Sequence, residues 1–272
     1  MNIFRAVVFS FMSIFVFIFA FASSYSSQKS IVGSDKIEIT ILYDNYVYTE
    51  GTKADWGFSC LIEGTEKTIL FDTGTKSDVL WHNIRKLGID ISRVDQVAIS
   101  HIHLDHTGGL ASVLEKKFDV PVYVPASFPD DFMEKVKSKG AYPVRVSRPL
   151  EICKDVFLTG EMGEQIKEQS LILNTSQGLV VVTGCAHPGI VNIVKKAEEI
   201  LNKKAYFVLG GFHLMHKSDN EVRQIISQFK NLGVKKCGPT HCTGDKAIAL
   251  FKKAFGPNYI RMGVGKVVRL KK

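Results

Sequence analysis

Three imidazoles and one carboxylate fall within six consecutive positions, His101, His103, Asp105 and His106, and few folds tolerate such a cluster without a ligand. Burying that many polar groups unpaired costs several kcal/mol. The run follows Val94–Ile99, which reads as a buried strand, and precedes Thr107-Gly108-Gly109, which turns the chain towards a helix. A loop fixed by a strand end is where α/β proteins place chemistry. In extended backbone His101 and His103 share one side, whereas a turn at Asp105-His106 points the second pair elsewhere, so two adjacent metal sites are geometrically feasible. Imidazole nitrogen and carboxylate oxygen suit Zn²⁺ first, with Mn²⁺, Fe²⁺ or Mg²⁺ as other divalent candidates.

The surrounding pattern is α/β. Ile37–Tyr43, Phe58–Ile62 and Thr68–Phe71 read as strands, Asp72-Thr73-Gly74-Thr75 as a turn, and Ser77–Leu87 as a helix stopped by Gly88. Leu171–Asn174 and Leu179–Thr183 read as a hairpin around Ser176-Gln177-Gly178, followed by a helix over Ile190–Leu201. Ala205–Leu209 is a strand ending in Gly210-Gly211, and Glu221–Leu232 is helical. Strands first and helices after, in each half, imply two packed sheets with helices outside. No Pro-, Ser- or Gly-rich linker divides the chain, so one domain is expected over residues 37–272.

The first 22 residues differ from the rest. Arg5 precedes an apolar run from Ala6 to Ala22 that ends in Ala20-Phe21-Ala22 and gives way to a Ser-rich polar stretch over residues 23–36. This is the layout of a cleaved signal peptide and implies export to a periplasm or the exterior, an uncleaved membrane anchor being the alternative. The net charge of +8 is scattered rather than gathered into a stripe, so a small-molecule substrate is expected and nucleic acid is not. The five cysteines, Cys60, Cys153, Cys185, Cys237 and Cys242, form no CxxC and read mostly as buried small hydrophobes. Cys185 and Cys242 flank histidines, which leaves reactivity open for those two.

The run SHIHLDHTGGL, preceded by Phe71-Asp72-Thr73-Gly74 and followed by TGCAHPG (183–189), LGGFHL (209–214) and PTHCTG (239–244), resembles the HxHxDH signature and supporting blocks of the metallo-β-lactamase superfamily. The blocks are most similar to its dihydropteroate-synthase-like subgroup, which includes archaeal enzymes of methanopterin-precursor synthesis. The resemblance covers the chain from about Ile37 onward and implies a four-layer αββα sandwich with a metal cleft at one edge of the sheets. By matching position it implies that His101, His103 and His187 hold one ion and Asp105, His106 and His241 the other, with Asp72 orienting ligands by hydrogen bonds. His82 and His216 lack any such context and read as surface histidines.

Two departures matter. Superfamily members with two ions commonly bridge them with an acid at the end of the LGGFHL strand, yet here no acid follows Gly210-Gly211 until Asp219. His213 is therefore expected at the site as ligand, acid/base or substrate contact. Asp55-Trp56-Gly57 stands where subgroup members often carry an acidic residue and His, so Trp56 is expected to reshape the substrate pocket. A bound divalent ion lowers the pKa of its water from about 15.7 to roughly 7, which implies a hydrolase using hydroxide on an ester, amide, lactone or phosphoester, with Asp105 and His213 in catalytic roles. The alternatives are a transferase coupling a pterin to an aminobenzene, and a non-catalytic metal- or ligand-binding protein.

Overall fold

The computed structural model describes residues 35–272; the expected leader over residues 1–22 lies outside the described residues. The first half of the described chain supplies strands β1 (Lys36–Tyr43), β2 (Ser59–Glu63) and β3 (Ile69–Phe71), helix α1 (Ser77–Lys86) and β4 (Gln96–Ala98). Short helices α2 (Leu104–Thr107) and α3 (Leu110–Leu114) follow, then β5 (Pro121–Pro125), α4 (Asp130–Ser138) and β6 (Tyr142–Val146). The second half supplies β7 (Leu150–Cys153), β8 (Val156–Leu158), β9 (Leu171–Thr175), β10 (Gly178–Thr183), α5 (Ile190–Leu201), β11 (Ala205–Gly211), α6 (Asp219–Leu232), β12 (Lys236–Thr240), α7 (Asp245–Phe255) and β13 (Val267–Lys271).

Two mixed sheets result, in the orders β13-β1-β2-β3-β4-β5-β6 and β12-β11-β10-β9-β8-β7. Period-two alternation explains how they stack. In β1, Ile37, Ile39 and Ile41 enter the core between the sheets together with Cys60, Phe71, Val180, Val182 and Leu209, while Leu42, Leu61, Leu70 and Val97 face the other way onto α1, α3 and α4. The second sheet sends Leu179, Val181 and Val208 outward onto α5, α6 and α7, where Phe251 meets Phe212 and Phe229 edge to face. Strand β10 is buried along its whole length, as expected of a strand covered on both faces. The architecture is the four-layer αββα sandwich.

The structure departs locally from the sequence reading. Residues 101–109 are not a plain loop: helix α2 begins directly after His103, and its first turn carries Asp105 and His106. Helix α6 starts two residues before Glu221, because the Ser218 hydroxyl accepts the Glu221 N–H while the Glu221 carboxylate accepts the Ser218 N–H, a reciprocal cap that fixes the first turn. Among the described residues no helix is long and apolar enough to cross a membrane.

Parallel pairing of β3 with β4, of β10 with β11 and of β11 with β12 brings five strand ends to one edge. Asp72 follows β3, His101 follows β4, Cys185 and His187 follow β10, His213 follows β11 and His241 follows β12. The carboxyl ends of parallel strands are where α/β sheets gather ligands.

Candidate metal centre

At this edge His101 Nε2 lies 3.1 Å from His103 Nδ1, and both donate to a group completed by His187, all ligand atoms within 4.8 Å of one another. The buried Nε2 of His187 has no protein hydrogen-bond partner. A few steps away, Asp105 Oδ2 lies 3.5 Å from His106 Nε2 and 3.3 Å from His241 Nε2. These spacings are those of donors around a common ion, and a metal would satisfy the orphaned nitrogen of His187. The six residues expected as ligands are thus brought together in two adjacent groups whose chemistry fits a divalent metal.

Each ring is aimed from behind. The fully buried Asp72 carboxylate accepts from the Ser100 backbone N–H and hydroxyl, both at 2.7 Å, and from His106 Nδ1 at 2.7 Å. Ser100 Oγ lies 2.9 Å from His101 Nδ1, so one carboxylate orients a ring of each group. Asn45 Oδ1 accepts the Gly57 N–H at 3.1 Å, which fixes the amide, and meets His241 Nδ1 at 2.9 Å. Asp44, at the end of β1, holds the Thr240 hydroxyl beside it. Glu168 is fully buried and its carboxylate accepts the backbone N–H groups of Cys185, Ala186 and His187 at 3.0, 2.9 and 2.8 Å.

The electrostatics favour a cation. Burial and the neighbouring imidazoles His106, His187 and His103 hold His101 well below the ordinary imidazole range, and burial together with His213 and His103 takes His187 down to about 4. Both rings are therefore neutral and present lone pairs. Burial opposes charge on His106, but the Asp72 and Asp105 carboxylates outweigh it and push the ring up to about 10. Burial likewise opposes charge on Asp105, which is nonetheless held far below the carboxylate range by His106 and His241. The proton held between them stands where a cation would.

Four of the seven left-handed non-glycine residues among those described belong to the site: Asp72 (φ 56°), Ala186 (φ 64°), His213 (φ 54°) and His241 (φ 51°). Such backbone costs about 1–3 kcal/mol per residue and persists where the surroundings impose it. His213 is exposed, with its ring 4.4 Å from that of His187. Trp56 is 45% exposed, donates its indole N–H to Asp105 Oδ2 at 2.9 Å and packs 5.0 Å from the His241 ring. Sequence reasoning gave Trp56 to the pocket but did not find its bond to Asp105. It also missed Asn45 and Glu168, for which an isolated Asn or Glu in a loop carries no signal. His82 sits apart, against the Gly51 carbonyl; His216 is exposed on the rim.

The family model described as the metallo-beta-lactamase superfamily matches residues 57–190. A protein of Methanocaldococcus jannaschii named 7,8-dihydropterin-6-methyl-4-(beta-D-ribofuranosyl)-aminobenzene-5'-phosphate synthase is 30% identical, over 86% of this chain and 97% of its own. This chain belongs to the metallo-β-lactamase superfamily. The superfamily fold recurs in the crystal structure of Tm1679, described as a metal-dependent hydrolase of the beta-lactamase superfamily, at TM-score 0.74 and 31% identity, covering 87% of this chain and all of that one. It recurs at 14% identity in YhfI from Bacillus subtilis, with TM-score 0.65, covering 86% of this chain and 99% of that one. The protein is accordingly a metallo-β-lactamase-fold enzyme with a His/Asp/Cys metal site, of hydrolase or synthase type.

Proposed function

We propose that this enzyme uses two divalent ions, in the first instance Zn²⁺, to join two small molecules, a pterin-like group and an aminobenzene acceptor. In this assignment His101, His103 and His187 hold one ion and Asp105, His106 and His241 the other. The observation that carries the reading is that His213 lines two clefts at once. One, of 330 Å³, is walled by Trp56, Met215, His216 and Cys242; the other, of 650 Å³, by Glu164, Gln165, His187, Pro188 and Asn192. A hydrolase needs one organic substrate, whereas two clefts meeting at one imidazole suit two. The exposed Trp56 indole offers a stacking face for a flat aromatic ring, and the relative's name specifies two aromatic halves.

When bound, the ions would neutralise charge on the diphosphate that departs as the carbon–oxygen bond to the pterin-bearing half breaks and the bond to the acceptor forms. The chain supplies the rest. Trp56 and Met215 hold one ring against the cleft wall, the polar loop at Glu164-Gln165 holds the other, and His213 stands between them to take the proton the acceptor loses as the new bond forms. Asp105, fixed by the Trp56 indole, keeps its orientation throughout.

A second reading, an exported hydrolase of an ester, amide, lactone or phosphoester, draws on the leader layout over Ala6–Ala22 and on the description of Tm1679. One experiment separates the two. The metal-loaded protein is incubated with dihydropterin diphosphate, with and without an aminobenzene acceptor, and in parallel with bis-p-nitrophenyl phosphate. A coupled product that forms only with acceptor supports the first reading; release of nitrophenol with no coupled product replaces it with the second. N-terminal sequencing of the secreted chain tests export, and a retained Met1 argues against it.

A further inference from the structure

Strand β11 ends on Gly210-Gly211, the place where two-ion members of the superfamily commonly carry a bridging acid. This fold excludes a side chain there. A Cβ on Gly211 would collide with the Gly184 carbonyl oxygen and lie 2.7 Å from Cys242 Sγ and 3.2 Å from Cys185 Cα. The space is filled by the Gly184-Cys185 turn, and that turn brings a sulfur with it. We propose that Cys185 is a metal ligand, its thiolate standing in for the missing acid at the junction of the two ion sites. The proposal rests on the metal assignment above.

The geometry argues this directly. Cys185 Sγ lies 3.3 Å from His106 Nε2 and 3.3 Å from His241 Nε2, and it forms a four-donor group with Asp105, His106 and His241 and a three-donor group with His187 and His213. An ion in a tetrahedron of nitrogen at about 2.0–2.1 Å and sulfur at about 2.3 Å separates its donors by roughly 3.3–3.6 Å. The spacings around Cys185 Sγ and Asp105 Oδ2 fall at that length.

Hydrogen bonding points the same way. His106 Nδ1 faces the Asp72 carboxylate and His241 Nδ1 faces Asn45 Oδ1, both acceptors, so each Nδ1 carries the ring proton. With the rings neutral, both Nε2 lone pairs then converge on the same point as the Asp105 oxygen and the sulfur. A divalent ion at that point would satisfy all four donors at once. The Glu168 carboxylate, by gripping the N–H groups of Cys185, Ala186 and His187, sets the turn that aims the sulfur inward. Cys242 is turned differently: its thiol donates to the Cys185 carbonyl at 3.5 Å.

The test is the electronic spectrum of the full chain loaded with Co²⁺. Visible ligand-field bands report that metal is bound, whatever the ligands; a near-ultraviolet sulfur-to-cobalt charge-transfer band reports a thiolate among them. Both bands are expected in the native chain and in Cys242→Ser, with loss of the charge-transfer band and at least a tenfold weaker second ion in Cys185→Ser. Ligand-field bands without charge transfer in the native chain overturn the thiolate proposal and leave the metal assignment standing. Absence of both bands overturns the two together. A charge-transfer band that survives Cys185→Ser but vanishes in Cys242→Ser also overturns it. Should Cys185→Ser not fold, metal-dependent protection of Cys185 from alkylation in the native chain, mapped by peptide mass, decides: equal labelling with and without Co²⁺ counts against ligation.

Discussion

Asp72 Oδ2 lies 2.7 Å from His106 Nδ1 with both side chains fully buried, and the same carboxylate reaches the first histidine group through Ser100. One residue therefore orients candidate donors of both groups. Asp72→Ala is expected to lower metal retention by about 10–100-fold, the usual cost of losing such a partner, and Asp72→Asn by less, since the amide oxygen can still accept one bond. Competition against a chelator measures this. Retention unchanged in Asp72→Ala would show that the rings hold their orientation without it.

Glu168 touches no ligand side chain, yet it fixes the Cys185–His187 turn through three backbone N–H groups. Glu168→Ala leaves those donors without a partner in a dry site, at about 1–3 kcal/mol for each one left unsatisfied. Urea denaturation of the metal-free chain is expected to show a loss of several kcal/mol in Glu168→Ala and a smaller loss in Glu168→Gln, whose amide oxygen can still accept. Equal stability of all three chains would mean that the turn holds itself.

The sequence made the sandwich and its candidate metal donors legible for different reasons. His101–His106 stood out because polar density at a strand end has few structural uses, and β1, β2, β10 and α5 stood out because apolar periodicity reports burial directly. Strands β5 to β8 and helix α4 went unread: Pro121, Pro143 and exposed positions such as Tyr142 and Leu150 blur their alternation, and their pairing is set by neighbours distant in sequence. Asn45, Glu168 and the donor role of Cys185 were hidden because each acts through position rather than pattern. A lone Cys two residues before a His looks the same whether it packs or ligates; the convergence of its sulfur with His106 and His241 Nε2 separates the cases.

Trp56 bonds to the carboxylate that would bind the second ion of the proposed centre. Its N–H constrains Asp105 Oδ2, so Trp56→Phe, which keeps an aromatic wall but removes the donor, is expected to loosen Asp105 and reduce turnover by at least roughly tenfold, since a hydrogen bond to a charged group contributes about 1.5–3 kcal/mol and about 1.4 kcal/mol is a factor of ten. Aromatic stacking is largely preserved, so KM should move less than kcat. Trp56→Ala should raise KM as well. Steady-state kinetics on all three chains checks this, and a Trp56→Phe enzyme with native kcat would reduce the indole to a wall.

Asp105 is the test on which the site stands or falls. Its Oδ2 is the meeting point of His106, His241 and the Trp56 indole, and it lies on the first turn of α2 rather than in the core. Removing the carboxylate therefore takes away charge and a ligand without opening a hydrophobic cavity. Asp105→Ala is expected to abolish turnover, lower the count of tightly held ions by one, and leave the circular dichroism spectrum of the fold unchanged. Without metal the variant loses the Asp105 carboxylate that helps hold His106 charged, so its apo form should be less stable than the native apo form. Metal analysis, dichroism and turnover on one preparation distinguish the outcomes: full activity with one ion fewer would confine the chemistry to the His101, His103 and His187 group, whereas full activity with the native ion count would remove Asp105 from the metal site.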